Sequence, residues 1–386
     1  MVEPVRDLFV HVGLPKTGTT YLQETLFGST EALARHGVDM VPRSRRDNYW
    51  LMLALRDQVD PQRDPAAIVG AVDDFQRELA ASTLPRAIVT DERLAPMSVE
   101  QVQRFVDAAG PSRLHLVITL RSFSRIVPSA WQQRVKAGIT QDLDAFIDSL
   151  RTRTGAPASV FWAGRDLPDL LERWSAHVPP ERVHVVPMPA SRTATPTLLE
   201  RFCAAIDVPA TELTEPDEPV NAAIGRAQTD LLRLVNEVAP PEQRRRGAHG
   251  ARSPWHVRLS WLGLRHLGSQ DGDSLKMPAQ WREWCEEVAQ ADIDFLSTSG
   301  VQVHGDLEDL RPRASDFSDA PAPSSEELLR VATQALSDIV AERAVERLPR
   351  AATARAAAAA AQQPALPAPV LEGLRVLRGV RRRLRR

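Results

Sequence analysis

Apolar residues in this chain gather in short runs rich in β-branched side chains, separated by stretches with helical spacing. Five such runs, at 8–12, 38–41, 87–90, 114–121 and 183–187, predict strands. Helices are predicted from Thr19-Thr20 onward, over 66–81, after Ser122, over 142–151, over 166–176 and from Thr195. Strands that alternate with helices build parallel sheets with crossover connections. The expected architecture is α/β: a three-layer sandwich with a central, mainly parallel, five-stranded sheet flanked by helices. Residues 220–238 add an amphipathic helix whose stripe, Ile224, Leu231, Leu232, Leu234 and Val235, reads as core packing.

The alternation ends near residue 310. A Pro/Ser linker at 320–325 precedes one more helix over 325–347, and 351–370 are rich in alanine and proline. The expected division is a main domain at 1–310, a linker and helix at 311–348, and a tail at 349–386. The last sixteen residues carry seven arginines among leucines and valines, a pattern that can meet an anionic membrane surface or stay solvated. Hydrophobic content of 43% and charged content of 25% are those of an ordinary globular protein. A formal net charge of −2 argues against a general nucleic-acid binder. Cys203 and Cys285 lack metal-ligand spacing and read as free thiols of a reducing compartment. With no apolar run of spanning length and no basic-then-apolar start, the expected location is the cytoplasm. The Arg/Ala/Pro bias suggests a bacterial, GC-rich source.

The densest chemical signal lies at 10–23, Val-His-Val-Gly-Leu-Pro-Lys-Thr-Gly-Thr-Thr-Tyr-Leu-Gln. Gly13 and Pro15 end the first strand, and Thr19-Thr20 open a helix. A glycine-punctuated turn between strand and helix aims backbone N–H groups and a helix N-terminus at one point, a geometry that binds phosphate. Lys16 adds a point charge there. The chain holds three lysines (Lys16, Lys136 and Lys276) against 45 arginines, so a lysine in this loop is not compositional drift. In a Walker A loop the lysine follows the second glycine directly. Here Gly13 and Gly18 keep the glycine spacing, Thr19 holds the lysine position, and the lysine is Lys16.

This Gly-x-Pro-Lys-Thr-Gly-Thr-Thr pattern resembles the 5′-phosphosulfate-binding loop of the sulfotransferases that use 3′-phosphoadenosine-5′-phosphosulfate (PAPS). The run at 114–121 ends in Arg121, and Ser129 follows eight residues later. Sulfotransferases hold the cofactor's 3′-phosphate with an arginine and a serine at that spacing, a fork plus a hydroxyl donor. Family usage puts Asp-Pro after the arginine, whereas this chain has Ser122-Phe123. The resemblance spans about residues 6–310 and implies a P-loop-NTPase-like sheet. It also implies sulfuryl transfer from PAPS to a hydroxyl or amine, with 3′-phosphoadenosine-5′-phosphate (PAP) as product and no metal. Pro15, Lys16, Thr17, Gly18, Thr19, Thr20, Arg121 and Ser129 are the implied cofactor-binding residues. Lys16 is the group implied to neutralise the leaving phosphate.

Thr90-Asp91-Glu92 closes the third run and resembles the Ser-Ser-Glu of bacterial and carbohydrate-type members. Glu92 is then the implied general base, with Asp91 the alternative and His11, read as a core histidine, the next. A strand ending in Asp91, with Thr20 as a magnesium ligand, also fits a Walker B reading and an ATP-dependent kinase. A non-catalytic binding protein on the same fold is the third possibility. Tyr49, Trp50, Trp131, Trp162 and Trp255 can stack on an acceptor or simply pack, and Arg244–Arg246 can meet an anion or stay solvated. The preferred acceptor is a carbohydrate or lipid-linked hydroxyl, or a small metabolite. Oligomeric state is not legible.

Overall fold

The computed structural model describes residues 6–191, 193–216, 224–240, 242 and 254–346. Arg244–Arg246 and the tail at 349–386 lie outside the described residues. Two compact units divide the chain, Met1–Ala332 and Thr333–Arg386. The first contains the sheet: β1 (Asp7–His11), β2 (Val38–Met40), β3 (Arg86–Thr90), β4 (Arg113–Leu120), β5 (Val183–Pro187) and β7 (Gln302–Val303). All pair in parallel, in the order β2-β3-β1-β4-β5-β7. A separate two-stranded pairing joins β6 (Met277–Pro278) to β8 (Phe317–Ser318).

The sheet thus has six strands, not five. The sixth, β7, is two residues long and registers His184 with Gln302 and Val185 with Val303. A pair of residues shows no hydrophobic periodicity, so only the β5 edge could reveal it. The sequence also runs 66–81 together as one helix, whereas the structure breaks it at Gly70 into Ala66–Val69 and Ala71–Ala81.

Both faces of the sheet are covered, as parallel sheets require. Leu8, Val10 and Val12 point into one core with Ala87, Val89, Leu116 and Ile118. Phe9 points into the other with Ile88, Val117 and Val186, beneath helices α1 (Thr19–Gly28) and, later in the chain, Leu198–Ile206. Alternation along each strand decides which side chain enters which core. The polar members of the second face matter most, because His11, Thr90 and Thr119 sit at its carboxyl edge. The connection leaving β1 leads toward β2 and β3 on one side, while that leaving β4 leads to β5 on the other. This makes the β1/β4 boundary the topological switch point, where a crevice opens beyond the strand ends.

Two more helices frame that edge, α2 (Arg45–Leu55) and α3 (Phe123–Lys136), and α4 (Arg226–Val238) packs on α3. Of the expected stripe, Ile224, just before α4, and Leu232 are buried, but most of the buried face of α4 is polar. Gln228, Thr229, Leu232 and Asn236 are buried, while Leu231, Leu234 and Val235 are only half-buried. The polar residues earn burial by bonding: Asn236 Nδ2 donates to the carbonyls of Val135 and Ile139 at 2.8 and 2.9 Å, and Gln132 Nε2 donates to Thr229 Oγ1 at 3.1 Å. Packing continues past residue 310, where buried Asp316 accepts from Ser124 Oγ at 2.9 Å and pairs with Arg125 at 3.0 Å. Among the described residues no helix is long and apolar enough to cross a membrane.

Candidate active site

The loop from Val12 to Gly18 leaves β1 at the switch point and enters α1. Val12 N–H donates to the Val117 carbonyl at 2.8 Å, so the loop starts as an extension of the sheet. Gly13 is a cradle that a side chain would fill. A Cβ there would overlap the Thr19 methyl and stand 2.9 Å from His11 Nε2 and 3.1 Å from Thr119 Oγ1. Lys16 (φ 73°) and Gly18 (φ 87°) both adopt the left-handed conformation. That is ordinary for glycine and costly for lysine, and such strain concentrates at ligand sites. Left-handed residues alternating with right-handed ones turn successive N–H groups to one side, making an anion-binding concavity. Gly18 is the N-cap of α1, with no capping side chain and no acid in the first turn. Other helices here are capped by Ser44, Ser98, Asp142, Asp166 and Thr197. No residue of α1 itself therefore caps or offsets the positive end of the helix dipole at its first-turn N–H groups.

A polar network under the loop sets its shape. Thr17 Oγ1 donates to the Leu14 carbonyl at 2.6 Å and lies 2.7 Å from Thr119 Oγ1. Thr119 Oγ1 is also 3.4 Å from His11 Nε2, while His11 Nδ1 meets Thr90 Oγ1 at 2.7 Å. His11 is fully buried, and burial alone pushes its imidazole down to about 3. It is a neutral core histidine that ties β1 to β3 and β4. Thr17 is likewise buried, so its side chain holds the loop from beneath and only its backbone is available to a ligand.

Above the loop, four groups converge. Thr19 Oγ1 donates to Glu92 Oε2 at 3.2 Å. Lys16 is half-buried; burial lowers its ammonium pKa, the Glu92 charge raises it, and the Arg121 charge lowers it. Arg121 Nη1 donates to the Lys16 carbonyl at 3.1 Å, so the arginine just past the end of β4 also braces the loop. Burial raises the Glu92 carboxyl, the neighbouring Asp91 charge raises it further, and Lys16, Thr19 and Arg93 pull it back. A carboxylate moved upward in this way is suited to accept a proton near neutral pH.

Asp91 is engaged otherwise. Arg93 grips it through Nε at 2.8 Å and Nη2 at 2.6 Å, Arg93 N–H donates at 2.9 Å, and Asn48 Nδ2 adds a fourth bond at 2.9 Å. Thr20 is half-buried in the first turn of α1, and Pro15 is half-buried in the loop. Ser129 is half-buried midway along α3, and no hydrogen bond links it to the Lys16–Glu92 group.

Asn48, Arg93 and Thr119 belong to this region although sequence motifs do not mark them. Arg93 also lies 4.4 Å above the Tyr49 ring. Of the aromatic residues, Trp131 is fully buried with Nε1 donating to Gln141, and Trp255 donates to Asn236 Oδ1 at 2.8 Å. Trp162 donates to Leu150 at 2.9 Å and stacks on Phe123, and Trp50 carries the Arg46 guanidinium at 4.7 Å. Trp131 and Trp162 therefore serve packing.

No protein-family profile matches the chain, and no curated protein is significantly similar to it. Among solved structures it is similar to a sulfotransferase from Alicyclobacillus acidocaldarius, at 16% identity and a TM-score of 0.36, over 56% of this chain and 87% of that one. It is also similar to a sulfotransferase domain from the curacin biosynthetic pathway, at 13% identity and a TM-score of 0.32, over 86% of this chain and 97% of that one.

Proposed function

We propose that the chain is a PAPS-dependent sulfotransferase acting on a hydroxyl or amine acceptor. The observation that carries this reading is the convergence of Lys16, Thr19, Glu92 and Arg121 over a loop whose backbone is shaped to bind an anion. A glycine cradle, an uncapped helix start, a lysine and an arginine fit a donor with two phosphate groups. The donor, when bound, brings an activated sulfuryl group on its 5′-phosphate.

The backbone N–H groups of residues 17–20 hold that phosphate, and Arg121, with Ser129 on the next helix, takes the 3′-phosphate. Lys16 neutralises charge at the bridging oxygen as the bond to sulfur breaks and its electron pair stays with PAP. Glu92 removes the acceptor proton as the acceptor oxygen or nitrogen bonds to sulfur. Thr19 orients Glu92 through its 3.2 Å bond.

The kinase reading needs an acid free to hold magnesium, and the Asp91 oxygens are bonded to Arg93 and Asn48. A carbohydrate or lipid-linked hydroxyl is the proposed acceptor class, and the cytoplasm the proposed location. Calorimetric titration with PAP, with and without magnesium, tests the reading. Micromolar or tighter binding of PAP without metal is expected; binding of ATP only, and only with magnesium, would favour the kinase.

A further inference from the structure

Helix α5 (Pro254–Leu262) packs on α3 and α4 and runs on into a π-helical turn, Gly263–Leu267. Its inner face is fixed. His256 Nδ1 donates to the Lys136 carbonyl at 2.9 Å, Trp255 Nε1 donates to Asn236 Oδ1 at 2.8 Å, and Leu259, His266 and Leu267 are buried. A Cβ at Gly263 would stand 3.5 Å from the Leu232 methyl, so the turn lies close against α4.

The outer face is apolar as well. Val257, Trp261 and Leu264 recur at i, i+4 and i+7, the spacing of one helical face, and are 55%, 45% and 61% exposed. Trp261 is held in place by His266, whose buried ring meets it edge-to-face with centroids 4.6 Å apart. A helix that is apolar all round is normally covered on both sides. Contiguous exposed apolar side chains on a folded protein mark contact with something else.

Charge decides what that is. Residues 243–270 hold six arginines (Arg244, Arg245, Arg246, Arg252, Arg258 and Arg265) and no acid, although acids number 50 among the 386 residues. Arg258 and Arg265 lie beside the stripe and are exposed. A second copy of the chain seated here about a two-fold axis would set this basic run against itself, and juxtaposed like charges are costly. An anionic bilayer satisfies both features. Aliphatic side chains and an indole enter its interface, and the arginines beside them meet phosphate headgroups. We infer that Val257, Trp261 and Leu264, with Arg258 and Arg265, form a surface that docks on an anionic lipid bilayer, α5 lying in the interface without crossing it. The inference stands without the sulfotransferase reading; taken with it, a lipid-linked hydroxyl is favoured over a soluble metabolite as acceptor.

The test is co-sedimentation of the full chain with vesicles of phosphatidylglycerol and phosphatidylcholine, or of phosphatidylcholine alone. Wild type is expected on the anionic vesicles, with affinity falling about tenfold or more in Val257→Glu/Leu264→Glu, since binding follows the apolar area inserted. Arg258→Gln should cost about fivefold on anionic vesicles and little on neutral ones. These side chains are exposed, so thermal midpoints should match wild type. Lipids brominated on their acyl chains should quench the wild-type tryptophan fluorescence, and Trp261→Phe should lose most of that quenching. Equal binding to neutral and anionic vesicles, or none to either, would overturn the inference. So would unchanged binding in Val257→Glu/Leu264→Glu, which would move the contact to the arginine-rich tail. Quenching that survives in Trp261→Phe would overturn it too, as would a wild-type dimer that ignores vesicles and dissociates in the double variant, which would make the face a contact between copies.

Discussion

The hydroxyl of Thr17 lies 2.7 Å from that of Thr119, which fastens the loop after β1 to the neighbouring strand β4. Because Thr17 also donates to Leu14, one buried side chain closes the loop and anchors it. Thr17→Val keeps the shape and removes both bonds. It should cost about 1–3 kcal/mol of stability, the usual penalty for orphaning buried partners. PAP affinity should fall in parallel, because the N–H groups above it lose their fixed direction. Chemical denaturation and PAP titration on the same protein check this; full PAP affinity in a destabilised variant would show that the network serves the fold alone.

Gly13→Ala should be comparably damaging. The new methyl meets the Thr19 side chain and the His11–Thr119 pair, all held by the sheet and α1. Overpacking at a rigid place typically costs about 1–3 kcal/mol. Gly18→Ala adds strain from its left-handed backbone and meets Leu198 Cδ2 at 2.5 Å. Thermal midpoints below wild type in both variants, with PAP binding lost, are the expected result.

Arg121→Ala should weaken PAP more than adenosine 5′-phosphate, since the arginine is assigned to the 3′-phosphate. Some loss is expected for both ligands, because Arg121 also braces the Lys16 carbonyl. The difference between the two losses should be of the order of 1.5–3 kcal/mol, the worth of one hydrogen bond to a charged group. Equal losses in paired titrations would leave Arg121 as a loop brace only.

Glu92 and Asp91 are adjacent but should respond oppositely. Glu92→Gln keeps the Thr19 contact and removes the base, so turnover of PAPS should drop by about 10²–10⁴-fold with PAP affinity nearly intact. Asp91→Asn breaks a largely buried pair with Arg93 and should lower stability by a few kcal/mol, about the cost of stranding one partner. Single-turnover rates alongside urea unfolding separate the two roles. Wild-type rates in Glu92→Gln would transfer the base to another residue.

Acid should destabilise the fold through a histidine row on the second sheet face. His115 Nδ1 meets His184 Nε2 at 3.1 Å, and His184 Nδ1 meets His304 Nε2 at 3.0 Å. Burial lowers all three imidazoles, His184 to about 4; the Asp7 carboxylate opposes this at His115, while Arg182 and Arg113 add to it. Folded pKa values below the unfolded value of about 6.5 mean the unfolded chain binds more protons in between. Stability should therefore be complete above about pH 6.5 and fall as pH drops toward 4. Urea midpoints at pH 7 and pH 5 check the slope, and His184→Gln should flatten it. A flat profile in the wild type would mean that the row is not neutral in the native state.

What the sequence determined by itself was local. β-branched runs placed five of the six sheet strands, because a fully buried parallel strand must be apolar on both faces. The spacing of Gly13, Lys16, Gly18 and Thr19 marked the loop, because turn chemistry and anion binding depend on residues adjacent in the chain. Tertiary structure alone decided what long-range contact controls. Glu92 faces Lys16 and Thr19 while Asp91, one residue earlier, is bound by Arg93 and Asn48, a distinction set by side-chain direction at a strand end. The polar face of α4 is buried because carbonyls of Val135 and Ile139 await its Asn236, and no pattern within residues 226–238 announces those partners.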